Sequence, residues 1–197
     1  MLIVLLTAVA AASEQDGPLY WWRLGREGQP LEQGCDSLGV LRQRFAAERV
    51  RALLPEGVGL HRVTLPGQRA AALRAALPYA LEERLSQELD DLHIVMGPRR
   101  SDGRVSAAVV EHSVITGWTE RFAQAGLRVE ALLPFWLGNR LQTLAPEQRV
   151  LEAPASEVDA LQACLPADTR LVTAPPTESA VSLQQQLSAA APFNLLT

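Results

Sequence analysis

The run LIVLLTAV, from Leu2 to Val9, is apolar almost throughout, and no other stretch of the chain constrains the fold as strongly. A strand of that pattern has no face to offer water, so it belongs inside a sheet that is covered on both sides. At 197 residues and 48% hydrophobic composition the chain has enough apolar material for such a core. The same start imitates a signal peptide through Ala10, Ala11 and Ala12, yet no positive residue precedes the apolar run. It is read here as a first strand. The rival is an exported ligand-binding protein cleaved after Ala12.

After the turn Asp16-Gly17-Pro18, LYWWRL is aromatic and β-rich, and QPLEQG returns as a third strand. Asp36 or Ser37 then caps a helix whose Leu38, Leu41 and Phe45 share a face, and RVRALLP follows from Arg49 as a strand. This βββαβ order opens the ribonuclease H-like and actin-like subdomains, so the expected class is α/β, with mixed sheets and flanking helices. A strand LHRVTLP ends at Pro66 and closes a first unit, residues 1–66. Residues 67–134 add a helix from Gln68, a hairpin of HIVMG and RVSAAVVE joined by PRRSDG, a helix capped by Ser113 and ended by Gly126, and the strand LRVEALLP. Residues 135–190 read as a smaller, reduced C-terminal subdomain with strands QRVLEA and TRLVTA and helices at Glu157–Leu165 and Ser179–Ala189; residues 191–197 read as the start of a linker.

In the helical region, Leu73, Leu77, Leu81, Leu85 and Leu89 recur at every fourth position and Leu92 continues three residues on, which lays one apolar ridge along a helix. Pro78 either kinks that helix or starts a second one, and in the second case Glu82 and Glu83 lie near a positive helix end. The chain carries a net charge of −4, and Glu82, Glu83, Glu88, Asp90 and Asp91 against Arg84 account for the same −4. The acidity is therefore local. A charged face over a leucine ridge is either plain solvated surface or a dock for a basic partner.

Composition excludes several chemistries. All 18 basic residues are arginine, so there is no Walker A lysine, no Schiff-base lysine and no lysine general base. Basic residues are not interleaved with aromatics, and an acidic chain is repelled by phosphate backbones, so no nucleic acid is expected as a partner. Cys35 and Cys164 form no metal-spaced or redox motif and read as two buried thiols in a reducing compartment; a disulfide between them is expected only of the exported rival. Glu111, His112 and Ser113 are adjacent and point in different directions, and His61 and His93 begin no metal-spaced pair. A two-metal nuclease needs carboxylates on its central strand, and LIVLLTAV has none. An actin-like ATPase needs an acidic residue and a glycine turn after the first strand, where Ala10, Ala11, Ala12 and Ser13 stand instead. Trp21, Trp22, Trp118 and Trp136 read as packing residues, with one of the adjacent pair near the surface. No catalytic, cofactor-binding or metal-binding residue is assigned.

The stretch VTLPGQRAAALRAALPYALEERLSQELDDLHIVMG, Val63 to Gly97, resembles the L-type inner-membrane platform protein of bacterial type II secretion, the GspL family. The resemblance rests on Leu65, Pro66, Leu77, Pro78, Tyr79, Glu82, Glu83, Asp90, Asp91, Leu92 and His93 in order, and PFNLLT resembles the family's Asn-Leu-Leu segment before its membrane-spanning helix. The resemblance implies the actin-like cytoplasmic domain of a single-pass protein, on the cytoplasmic face of the bacterial inner membrane. It also implies a non-enzymatic scaffold that binds the N-terminal domain of the E-type secretion ATPase and meets the M-type and F-type platform subunits, with a second copy of the chain as a further candidate partner. On that reading Glu82, Glu83, Glu88, Asp90 and Asp91 contact the ATPase. Phe193, Asn194, Leu195 and Leu196 form a docking peptide like the one in related pilus proteins, packing onto the chain's own domain or a neighbouring copy. A degenerate actin-like nucleotide-binding ATPase is the enzymatic alternative.

Overall fold

A computed structural model of the chain describes residues 1–6, 17–54, 57–67, 69–99, 102–134, 149–153, 169–173, 187 and 191–197. The apolar run forms strand β1 (Leu2–Leu5), all of it buried. β1 pairs antiparallel with β2 (Leu19–Leu24), which pairs antiparallel with β3 (Pro30–Asp36). On its other edge β1 runs parallel to β4 (Arg49–Leu54), and β4 runs parallel to β8 (Arg128–Pro134). The order β3-β2-β1-β4-β8 is the ribonuclease H-like arrangement shared by actin-like folds.

Both faces of this sheet are covered. Leu2, Val4, Trp21, Val50, Ala52 and Leu132 join a core with Leu38, Leu41 and Phe45 of helix α1 (Leu38–Phe45). Ile3, Leu5, Tyr20, Trp22, Leu53 and Leu133 alternate with them on the other face and are buried too. Trp21 and Trp22 are therefore both buried, which corrects the expectation that one lies near the surface; a strand inside a doubly covered sheet has no wet side. Of the two expected caps of α1, Ser37 takes the role, its hydroxyl accepting the Val40 N–H at 3.4 Å, while Asp36 accepts the Trp21 indole N–H at 2.9 Å. Cys35 is disulfide-bonded, not the free thiol expected; pairing follows approach in space, which spacing in sequence does not reveal. Cys164 and Trp136 lie outside the described residues.

The chain leaves this sheet after β4, builds a second one, and returns as β8. The second sheet is antiparallel, in the order β5-β7-β6, from β5 (Val58–Thr64), β6 (Leu92–Arg99) and β7 (Arg104–Glu111). The sheets thus do not divide at Pro66, because β5 pairs with β7 and not with its predecessor β4. One face of the small sheet carries helix α2 (Ala70–Glu82). Its other face enters the main core through Val95, Ala108 and Val110, beside Trp118 and Phe122 of helix α3 (His112–Gln124). That helix starts earlier than expected: Glu111 occupies the N-cap position, and Ser113 lies inside the first turn. Gly126 adopts φ 71°, the left-handed conformation that ends a helix without a Cβ penalty. Arg149–Ala153 (β9) and Thr169–Thr173 (β10) pair in parallel; the helices expected at Glu157–Leu165 and Ser179–Ala189 lie outside the described residues, apart from helical, buried Leu187.

Pro78 sits inside α2, which is one helix and ends at Glu82. Leu73, Leu77 and Leu81 form the buried ridge, whereas Leu85 and Leu89 are half-buried residues of the turns beyond it. The fourfold spacing overran the helix because Leu85, beyond its end, still packs against the core of Leu77 and Leu81. Leu81→Ala should then lower the unfolding free energy by about 2–5 kcal/mol and Leu85→Ala by clearly less, read from denaturant titration. Equal losses would contradict the helix end at Glu82.

Strand β1 is tethered at its start. The Met1 ammonium lies 2.9 Å from the Glu48 carboxylate and donates to the Leu24 carbonyl at 3.1 Å, and Arg23 reaches Glu48 at 3.2 Å. The ammonium, foremost, and Arg23 hold the Glu48 carboxyl below its ordinary value of 4.5, against the opposing effect of burial. A depressed carboxyl stabilises the folded chain above its unfolded pKa and loses that contribution as pH falls through the folded one. Glu48→Gln should therefore lower the melting temperature at pH 7, and the gap from the native chain should close as the pH falls below 4.5.

Candidate functional site

The acidic residues from Glu82 to Asp91 lie on a hinge between α2 and β6. Glu82 is the last residue of α2 and Glu83 its C-cap, so both stand at the negative end of the helix, not near a positive one as a second helix from Pro78 would have placed them. Glu88 precedes a 3₁₀ turn, Leu89–Asp91, that holds Asp90 and Asp91. All five carboxylates are exposed.

Elsewhere Glu32, Asp36, Glu48 and Glu130 are matched by arginines, while Glu27, Asp102, Glu111 and Glu120 form no ion pair among the described residues. Arg23 contacts Glu32 and Glu48, Arg44 contacts Glu32 and Asp36, and Arg49 and Arg51 contact Glu130, at 3.1–3.9 Å. Among the described residues, none of Glu82, Glu83, Glu88, Asp90 and Asp91 forms an ion pair. Arg84, the one cation in their midst, turns away and donates to the Arg62 carbonyl of β5 at 3.1 Å. The hinge is itself fastened by Gln87, whose amide donates to Glu111 at 2.9 Å. Tyr79, 73% exposed on the last turn of α2, places an aromatic ring beside the acids.

The second surface is the tail. A 3₁₀ turn, Ala191–Phe193, brings the Phe193 ring into the main core, 4% exposed, with Leu195 at 1%. The Leu195 N–H donates to the Leu132 carbonyl at 2.8 Å, and the Asn194 side-chain oxygen accepts from the N–H groups of Leu132 (3.1 Å) and Leu196 (3.2 Å). Both backbone groups of one residue on β8, an end strand of its sheet, are thereby satisfied. Leu196 remains 36% exposed.

No serine–histidine relay is formed, since the Ser113 hydroxyl donates to Glu111 at 3.2 Å and not to His112. The described residues contain no group of three or more metal-ligating side chains. The segment after β1, where an actin-like ATPase would need its phosphate loop, lies outside the described residues. His93, the second residue of β6, has its ring 5.6 Å from that of His112, and its Nε2 is buried without a hydrogen-bond partner among the described residues. His61 is half-buried near Arg84. Burial first, and His112 second, hold His93 below its ordinary value of 6.5. The folded chain then binds fewer protons than the unfolded one as pH drops past 6.5, so stability falls with acidification there. His93→Gln should flatten that slope between about pH 6.5 and 5, measured as melting temperature against pH. An unchanged slope would place the titration elsewhere.

These features define a mixed α/β domain of actin-like fold. The model of the family "Type II secretion system (T2SS), protein L" matches residues 8–137, and the chain belongs to that family, a component of the type II secretion system. It is 36% identical over 147 residues to the type II secretion system protein L of Pseudomonas aeruginosa, covering 66% of this chain and 36% of that protein. It is 30% identical over 129 residues to that of Dickeya chrysanthemi, covering 62% of this chain and 32% of that one. The chain thus spans about a third of the length of these relatives. In fold it is similar to the cytoplasmic domain of EpsL, an inner-membrane component of the type II secretion system of Vibrio cholerae, with TM-score 0.66, 18% identity, and coverage of 100% of this chain and 97% of that one. It is also similar to the PilM-PilN type IV pilus biogenesis complex, with TM-score 0.53, 14% identity, and coverage of 70% and 48%.

Proposed function

We propose that this chain is a non-enzymatic scaffold of the type II secretion platform, recruiting the E-type secretion ATPase to the cytoplasmic face of the inner membrane. The reading is carried by one observation: five exposed carboxylates are crowded between Glu82 and Asp91 and form no ion pair among the described residues, while Arg84 in their midst turns away to the Arg62 carbonyl. Such a patch steers a basic partner and selects it, while each exposed pair formed on docking adds only about 0.2–1 kcal/mol. Tyr79 beside the patch offers the apolar contact that affinity needs. On this reading the partner is the N-terminal domain of the ATPase, and Glu82, Glu83, Glu88, Asp90 and Asp91 meet its arginines or lysines. Phe193, Asn194, Leu195 and Leu196 serve as a docking peptide that leads on toward a membrane anchor and the M-type and F-type subunits. The EpsL domain, the cytoplasmic part of an inner-membrane component in Vibrio cholerae, is similar in fold and supports this location.

In a calorimetric titration the chain should bind the N-terminal domain of the cognate ATPase with micromolar or better affinity, and Glu82→Arg with Glu83→Arg should abolish binding while the chain stays folded. If both forms bind alike, the ATPase is held elsewhere. No binding at all would remove the recruiting role.

A further inference from the structure

Strand β6 is irregular where the tail meets it. Its register against β7 holds from Leu92 to Met96, then shifts, leaving Gly97 and Pro98 without partners before Arg99 pairs with Val105. A glycine-proline bulge of this kind is tolerated on an end strand, and β6 is one. The Phe193 ring lies directly on Gly97. A Cβ built there would overlap Cε1 and Cζ of the ring and press on Cδ1. The backbone of Gly97 needs no left-handed conformation, and the three atoms nearest to such a Cβ all belong to the ring.

We infer that Gly97 is the specificity-determining residue of a peptide dock shared by β6 and β8, which accepts an aromatic side chain immediately before an asparagine and a buried aliphatic residue. The inference rests on the docking-peptide reading above and adds what the dock selects. Three fixed features read the peptide. The missing Cβ at Gly97 leaves room for a flat ring, and the Leu132 N–H and carbonyl read Asn194 and the Leu195 amide. A snug apolar site takes the Leu195 side chain, while Leu196 at 36% exposure is not selected. The occupant is the chain's own segment Phe193–Leu195, which joins an end strand of one sheet to an end strand of the other.

The test is amide hydrogen exchange at Leu195 in the full chain, with the amides of β1 as the folding reference. Gly97→Ala should speed Leu195 exchange at least tenfold and leave β1 protected. Leucine lacks the two ring atoms that collide, so Phe193→Leu should make the added methyl harmless: G97A on the F193L background should change the rate less than threefold. That coupling between two positions is the signature of selection by fit. If G97A alone unfolds the chain, the double variant decides: a folded chain with Leu195 protected upholds the inference, and one as unfolded as G97A overturns it. Equal rate changes from G97A on both backgrounds also overturn it. Fast exchange at Leu195 in the native chain would instead remove the docked tail itself, and with it the reading on which this inference stands.

Discussion

The burial of β1 on both faces is the constraint from which the rest follows. Leu2, Ile3, Val4 and Leu5 are each 0% exposed, and burial of each such side chain contributes about 1.5–3 kcal/mol. A strand so placed needs hydrogen-bonded neighbours on both edges, which β2 and β4 supply, and apolar layers on both faces. It has no room for a charged group, whose desolvation would cost more than any one of these contacts contributes. In this arrangement the centre of the fold is given over to packing, and chemistry that needs carboxylates on the central strand has no place in it. The proposed contacts lie outward from it, at the turn after α2 and on the two end strands β6 and β8.

Those end strands explain how two sheets behave as one body. The small sheet is inserted between β4 and β8, so the covalent links alone would leave it hanging from the larger one. The shared core closes that gap from inside, with Val95, Ala108 and Val110 of the small sheet in one cluster with Leu132, Trp118 and Phe122. The tail closes it from the edge, with Phe193 on β6 and Asn194 and Leu195 on β8. An open strand edge invites pairing with another chain, and here a short side chain, asparagine, covers it by imitating a backbone.

Much of this was legible in the chain. The apolar run, the aromatic second strand and the helix after Ser37 carry strong local signals, because burial pattern and capping chemistry act within a few residues. The end of α2 was not legible, since Leu85 and Leu89 keep the spacing of a helix after the helix has stopped. The burial of Trp22 was hidden too, because alternation tells which residues share a face but not whether that face is wet. The disulfide at Cys35 and the pairing of β5 with β7 depend on contacts remote in sequence, which no local rule reports. Within the candidate site the acidic run and the Asn-Leu-Leu tail could be seen at once. The fit of Phe193 to Gly97 could not, although a glycine before a proline inside an apolar strand is the mark of a bulge.

Arginine is the only basic side chain of the sequence, and that choice has an outcome for labelling chemistry. Without lysine, none of the 197 residues carries a primary amine on its side chain, so an amine-directed dye or cross-linker finds no side-chain target among them. The arginines that hold Glu32, Asp36, Glu48 and Glu130 keep their charge through such treatment, and the ion pairs of the large sheet survive it.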